Sequence, residues 1–207
     1  MALPLDSLAI LGGTFSPPHF GHLLIAQAAF YRFRLSRVVF VPAAQNPLKP
    51  VDEETLPKPD ARLSMLRLAT EPDARFSVDA FDLRKGGLSY TITTLKRYRE
   101  RYPDAELYFL LGADAAATLP QWKDIEQYRE LCTLAIYPRV DAPDFSRGLP
   151  DELPELKQLN LRWEFVPMEL WPVSSSLVRR RVREGKPIRY YVPDDVADFV
   201  HQHGLYR

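Results

Sequence analysis

Four short apolar runs, Leu8–Leu11, Val38–Val41, Leu107–Leu111 and Leu134–Tyr137, most restrict the folds open to this chain. Each has the length of a strand, and together they are rich in Val, Ile, Leu, Phe and Tyr. Their apolar character is continuous rather than alternating, so both faces need cover, as in a parallel sheet flanked by helices. Helical patterns supply that cover: Leu23–Phe33 follows the first run, Ala61–Ala69 follows the second, and Tyr90–Tyr102 precedes the third. Strand–helix alternation of this kind predicts an α/β fold of the doubly wound type. Near the C-terminus, Ser174 is placed to cap a helix whose stripe is Leu177, Val178 and Val182, with Gly185 and Pro187 ending it. A last helix over Asp194–His203 stops at Gly204.

Length and charge narrow the classes further. A chain of 207 residues predicts one domain, 1–207, with a sizeable core. Lys plus Arg equals Asp plus Glu at 27 each, so the overall charge gives no case for nucleic acid or an anionic membrane. The single cysteine, Cys132, borders an apolar run and reads as a buried thiol. The N-terminus lacks the basic and apolar regions of a secretory signal, and no run has the roughly 18 apolar residues of a membrane span. A cytoplasmic protein is expected. Two stretches stand apart: Ala44 to Asp60, proline-rich, reads as a loop over a site, and Pro138 to Pro154 as a surface excursion.

The first apolar run continues into Gly12-Gly13-Thr14-Phe15-Ser16-Pro17-Pro18-His19-Phe20-Gly21-His22. Glycines allow a tight turn and close backbone approach to a ligand, here expected at Gly12-Gly13. His19 and His22 then stand just before a helical pattern, where backbone N–H groups and the helix dipole favour anions. The pair lacks the further ligands of a zinc site. From spacing alone, one capping and one packed histidine is an equal alternative. Ser174, Ser176 and Arg179 open the later helix and present two hydroxyls and a guanidinium at its positive end, or simply a solvated cap and basic face running to Arg183. Lys49 lies on the proline-rich loop. Ser89, Tyr90 and Thr91 precede the Tyr90–Tyr102 helix, where a hydroxyl cap is expected. Asp114 follows a strand end, where open α/β sheets bind ligands, or else caps the next helix. Trp122 falls on a short polar loop, as packing or as a ligand contact.

The Gly-Gly-Thr-Phe-Ser-Pro-Pro-His-Phe-Gly-His segment resembles the nucleotidylyltransferase signature, and with the later motifs the chain is similar nearly end to end to bacterial nicotinate-nucleotide adenylyltransferases. The resemblance implies a Rossmann-like domain that transfers adenylyl from ATP to nicotinate mononucleotide, giving nicotinate adenine dinucleotide and pyrophosphate. It implies that Gly12, Gly13, Thr14, Phe15, His19, His22, Arg139, Ser174, Ser176 and Arg179 bind ATP. His19, His22, Lys49 and Arg179 would stabilise charge during transfer, with Mg²⁺ riding on the triphosphate and no dedicated protein metal site. Ser89, Tyr90, Thr91, Asp114 and Trp122 would take the mononucleotide, with Trp122 stacking on the pyridine. Leu48 and Ser16 depart from the usual His and Asp of the pattern. A phosphopantetheine adenylyltransferase or another cytidylyl- or adenylyltransferase, a non-catalytic nucleotide sensor, and a nucleic-acid binder using Arg179 to Arg183 are the competing readings.

Overall fold

The computed structural model describes residues 6–48, 56–138, 158–169 and 171–207. All four expected strands are present: β1 (Ser7–Gly13), β2 (Arg37–Pro42), β4 (Glu106–Gly112) and β5 (Thr133–Tyr137). Two three-residue strands, β3 (Phe76–Val78) and β6 (Trp163–Phe165), complete a six-stranded sheet in the order β3-β2-β1-β4-β5-β6. The pairings β1–β4, β4–β5 and β5–β6 are parallel, with Leu11 opposite Leu110, Leu111 opposite Ile136 and Ala135 opposite Glu164. The order runs outward from β1 in both directions, which is the doubly wound arrangement the apolar runs predicted.

The helices are α1 (Phe20–Arg32), α2 (Pro59–Thr70), α3 (Phe81–Lys85), α4 (Thr91–Arg101), α5 (Ala113–Ala116), α6 (Tyr128–Leu131), α7 (Ser175–Arg183) and α8 (Asp194–Gln202). Local chemistry explains several ends. Pro59 opens α2 where its missing N–H costs nothing, and Asp60 complements the dipole there. Ser174 caps α7 by accepting the Leu177 N–H at 3.2 Å, as expected. Beyond α8, Gly204 adopts φ +59° and the Leu205 N–H reaches back to the Val200 carbonyl at 3.0 Å. That is the Schellman way of satisfying terminal carbonyls, and it needs the left-handed residue.

By internal contacts the described residues divide into two compact units, the first from 6–12, 27–39, 90–138 and 158–169, the second from 13–26, 40–48, 56–89 and 171–207. In the first, Leu8, Ile10, Leu110, Leu134 and Ile136 of the central strands are all at most 1% exposed. Arg99 of α4 fastens that unit's loops by donating to the carbonyls of Pro103 at 2.8 Å, Ala105 at 2.9 Å and Leu131 at 2.9 Å. In the second, Met65 and Ala69 of α2 pack with Val173, Val178, Ile188, Val192, Val196, Val200 and Tyr206. Burying apolar area at about 25 cal/mol per Å² is the main favourable term in each.

Cys132 is buried, as its apolar context predicted, and burial pushes its thiol up to about 12 from 9.0. A raised acid pKa means the fold holds the neutral form. Stability from this group is therefore intact below pH 9, where the unfolded thiol begins to ionise, and is lost as pH rises toward 12. We expect no alkylation of Cys132 by iodoacetamide in the native protein at pH 8, and complete alkylation in urea, both read by mass spectrometry. Rapid native labelling would contradict the burial.

Candidate active site

The expected turn at Gly12-Gly13 lies elsewhere. Both glycines belong to β1, and neither has a positive φ. The left-handed residue is Phe15, at φ 49°. Its ring is 1% exposed, packs on Phe40 at 5.8 Å and sits against Gly13, where an added Cβ would meet the ring at 3.1 Å. Hydrophobic burial of the Phe15 ring thus offsets the roughly 1–2 kcal/mol that a left-handed L-residue costs.

The histidines follow. Helix α1 begins at Phe20, earlier than the Leu23 expected, so His22 stands inside its first turn and His19 just ahead of it. Their rings stack at 3.7 Å, and Phe15 meets His22 edge-on at 4.9 Å. Gly21 makes the stack possible: a Cβ there would lie 3.0 Å from two His19 ring atoms and 3.1 Å from Val173 Cγ1. The His19 backbone N–H donates to His22 Nδ1 at 3.2 Å. A backbone N–H can only donate, so Nδ1 is an acceptor and the neutral ring carries its proton on Nε2. His22 therefore offers an N–H donor from Nε2, while His19 is 4% exposed.

Helix α7 contributes the rest of this group. Ser175 Oγ donates to the Pro17 carbonyl at 2.9 Å, Arg179 Nη1 donates to the Ser16 carbonyl at 2.7 Å, and Arg179 Nη2 donates to Ser176 Oγ at 3.3 Å. The 13–22 segment and α7 are thus tied together within the second unit. Arg179 serves the turn directly, a role the sequence did not suggest, as Ser175 also does.

Arg62 was missed altogether. It is 2% exposed and donates from Nη1 to the Thr14 carbonyl at 3.0 Å and the Ala43 carbonyl at 2.8 Å, and from Nη2 to the Ala44 carbonyl at 3.3 Å. Desolvation by burial lowers its pKa below the ordinary arginine value. Its period within α2 marks it as facing inward, which was the available signal. Nearby, the Ala43 N–H donates to the Gly13 carbonyl at 2.9 Å.

The residues assigned to a second substrate divide. Ser89 does not cap α4; it accepts the Ala44 N–H at 2.9 Å in the second unit, and Tyr90 holds the cap position without a side-chain hydrogen bond. Tyr90, Thr91, Asp114 and Trp122 belong to the first unit. Asp114 does not cap α5; Gly112 does, and Asp114 is in the first turn. Trp122 directly follows a single 3-10 turn, Leu119–Gln121. Its Nε1 donates to Thr118 Oγ1 at 3.0 Å, and its ring meets Phe109 at 6.0 Å and Tyr128 at 6.1 Å, both edge-on. Burial raises the pKa of the Tyr128 hydroxyl, which pairs with the Thr91 side chain and the Ile92 backbone. The Lys123 ammonium lies 4.7 Å over the Tyr90 ring. Lys49 and Arg139 lie outside the described residues, as does 139–154 of the Pro138 to Pro154 stretch. Among the described residues no three His, Cys, Asp or Glu side chains are grouped to hold a metal ion, and no helix is long and apolar enough to cross a membrane.

The histidine turn, with the serine-capped α7 fastened to it, gathers imidazole, hydroxyl and backbone groups of the kind that hold phosphates, and the proteins this chain is similar to are nucleotidyl-transfer enzymes. The cytidylyltransferase-like family model matches residues 10–181, and the chain belongs to that family. Among similar proteins, one from Opitutus terrae, named a probable nicotinate-nucleotide adenylyltransferase, is 38% identical over 97% of both chains. One of the same name from a Synechococcus is 37% identical over 96% of this chain and 94% of its own. Among solved structures, Plasmodium falciparum nicotinic acid mononucleotide adenylyltransferase complexed with APC has a TM-score of 0.74 at 16% identity, covering 97% of both chains. The same enzyme complexed with NaAD scores 0.73 at 17% identity, again with 97% coverage of both. These likenesses establish the fold.

Replacing Arg62 with methionine keeps much of its volume but removes three donors. We expect the variant to lose about 2–4 kcal/mol, since hydrogen bonds to charged groups are each worth about 1.5–3 kcal/mol and are not additive. Urea unfolding followed by circular dichroism measures it, and a loss below about 0.5 kcal/mol would deny Arg62 its role.

Proposed function

We propose that this protein transfers the adenylyl group of MgATP to nicotinate mononucleotide. A phosphate oxygen of the mononucleotide attacks the α-phosphorus, the bond from that phosphorus to the bridging oxygen breaks, and pyrophosphate leaves. The relatives that carry this name match almost the whole chain. The geometric observation that carries the reading is the His22 ring, held by the His19 N–H as an acceptor at Nδ1 and so a donor at Nε2.

That donor suits this chemistry. The attacking phosphate is already anionic at neutral pH, so no base has to remove a proton. What the protein must supply is position and compensation of the charge that builds on the phosphates. His22 Nε2 and the start of α7 supply donors of the kind required, with Gly13 to Phe15 lending backbone. Lys49 and Arg139 belong to the same proposal as further cations. Mg²⁺ enters as part of the MgATP substrate. A cytoplasmic location belongs to the same reading, because both substrates are held inside cells.

The second substrate is assigned to the first unit. A pyridine ring wants a flat apolar face, which an indole or phenol provides with few rotors. Nicotinate carries an anionic carboxylate, and positive potential at the start of α4, with Lys123 over Tyr90, favours it over a neutral amide.

His22→Ala should lower kcat by about 10²–10³, the usual cost of one preorganised donor to developing charge. Pyrophosphate release from ATP in a folded variant measures it; near-parental kcat would remove His22 from the transfer step. The same assay with each mononucleotide tests the substrate. Nicotinate mononucleotide should show the higher kcat/KM, and Trp122→Ala should raise its KM more than that of ATP. Equal kcat/KM for the nicotinate and nicotinamide forms contradicts the carboxylate reading.

A further inference from the structure

The turn that carries the histidines has a contact from a distant part of the sequence. Ser16, at 1% exposure, and Tyr206, at 9%, place Oγ and Oη 3.0 Å apart across 190 residues. A buried hydroxyl pair of this kind is kept only where each satisfies the other. Tyr206 is delivered there by design of the chain end. The Schellman turn at Gly204 reverses the backbone after α8, Tyr206 itself adopts φ 66°, and its ring joins the core of Met65, Val173, Val178 and Val196. Its hydroxyl also lies 4.0 Å from Met65 Sδ. Burial raises the phenol to about 12, so it remains a neutral hydroxyl across the physiological range.

Three groups therefore hold consecutive parts of one short segment. Arg62 grips Thr14 by its carbonyl, Arg179 grips Ser16 by its carbonyl, and Tyr206 grips Ser16 by its side chain. Ser175 adds the Pro17 carbonyl. Of these, Tyr206 holds Ser16 through its side chain, and Tyr206→Phe deletes that hydroxyl with the ring's packing left intact. From this we infer that Tyr206 is a positioning residue: through Ser16 it fixes the turn that sets where His19 and His22 stand, and so tunes turnover without touching substrate. The inference rests on the adenylyl-transfer reading for its effect on rate, but not for its effect on the histidines.

The test uses the full chain with Tyr206→Phe, Ser16→Ala and the double variant. Parental turnover of ATP with nicotinate mononucleotide is measured first; its absence would overturn the functional reading alone. Each single variant should lose about tenfold in kcat, the rate equivalent of one buried hydrogen bond, with both KM values within about twofold of the parent. The double variant should lose no more than either single one, because the same bond is removed once. Independently of activity, the imidazole nitrogen resonances of His19 and His22 should shift in Tyr206→Phe. Unmoved resonances overturn the inference, whether or not the parent is active. So does a parental kcat in folded Tyr206→Phe, or multiplicative losses in the double variant. A lowered melting temperature with kcat unchanged would mark the bond as merely structural, and that too overturns it.

Discussion

A guanidinium taken out of water must be met by acceptors, and Arg62 is met by the backbone at both terminal nitrogens, though not at Nε. Its contacts to Thr14, Ala43 and Ala44 join the segment after β1 to the segment after β2. Removing such a group from water is expensive, and fixed carbonyl dipoles repay it only if they keep their places. The cost of the buried charge is thus what makes the two segments rigid. The histidine turn is built on that rigidity, with Phe15 held in a left-handed conformation that it would not adopt alone.

The division of labour along the chain follows from the same constraint. Strands with continuous apolar faces make a scaffold that has no chemistry of its own. Among the described residues, most polar side chains that do reach inward, Ser16, His19, Arg62, Thr70 and Asp82, are buried in the second unit, with Ser7 and Thr94 in the first. The first unit instead surrounds Trp122 with Phe109 and Tyr128 and ties the indole by its Nε1. Two T-shaped ring contacts and one hydrogen bond at the nitrogen therefore fix the orientation of the indole.

The parts of this arrangement that sequence shows are those with a repeating physical signal. The runs at 8–11, 38–41, 107–111 and 134–137 are long enough for continuous burial to read as strand, and Ser174 stands where a cap must be. By contrast, Phe76–Val78 and Trp163–Phe165 have three residues each, and Trp163 is 37% exposed, so neither builds a pattern. Arg62 shares the inward period of Met65, Leu66 and Ala69 in α2, but arginine is usually a surface residue and its acceptors lie 18 to 48 positions away. Glycines at 12 and 13 drew the expected turn to themselves, whereas the sterically surprising residue is Phe15. The cap expected among Ser89 to Thr91, and the cap that is one of two readings for Asp114, fall to Tyr90 and Gly112. For Phe15 and Ser89 the deciding partners, Phe40 and Ala44, are remote in the chain, and local propensity carries no record of them.

The glycines of the signature are alike in letter and unlike in space. At position 12 an added methyl would touch Phe109 at 3.5 Å, an ordinary contact, while at 21 it would meet His19 and Val173 at 3.0–3.1 Å. Drift at the first site has room to proceed by small steps. At the second, even one added carbon presses on the His19 ring and on Val173 together, so a replacement at Gly21 is accommodated only by shifting the stacked pair or the core behind it by a few tenths of an ångström.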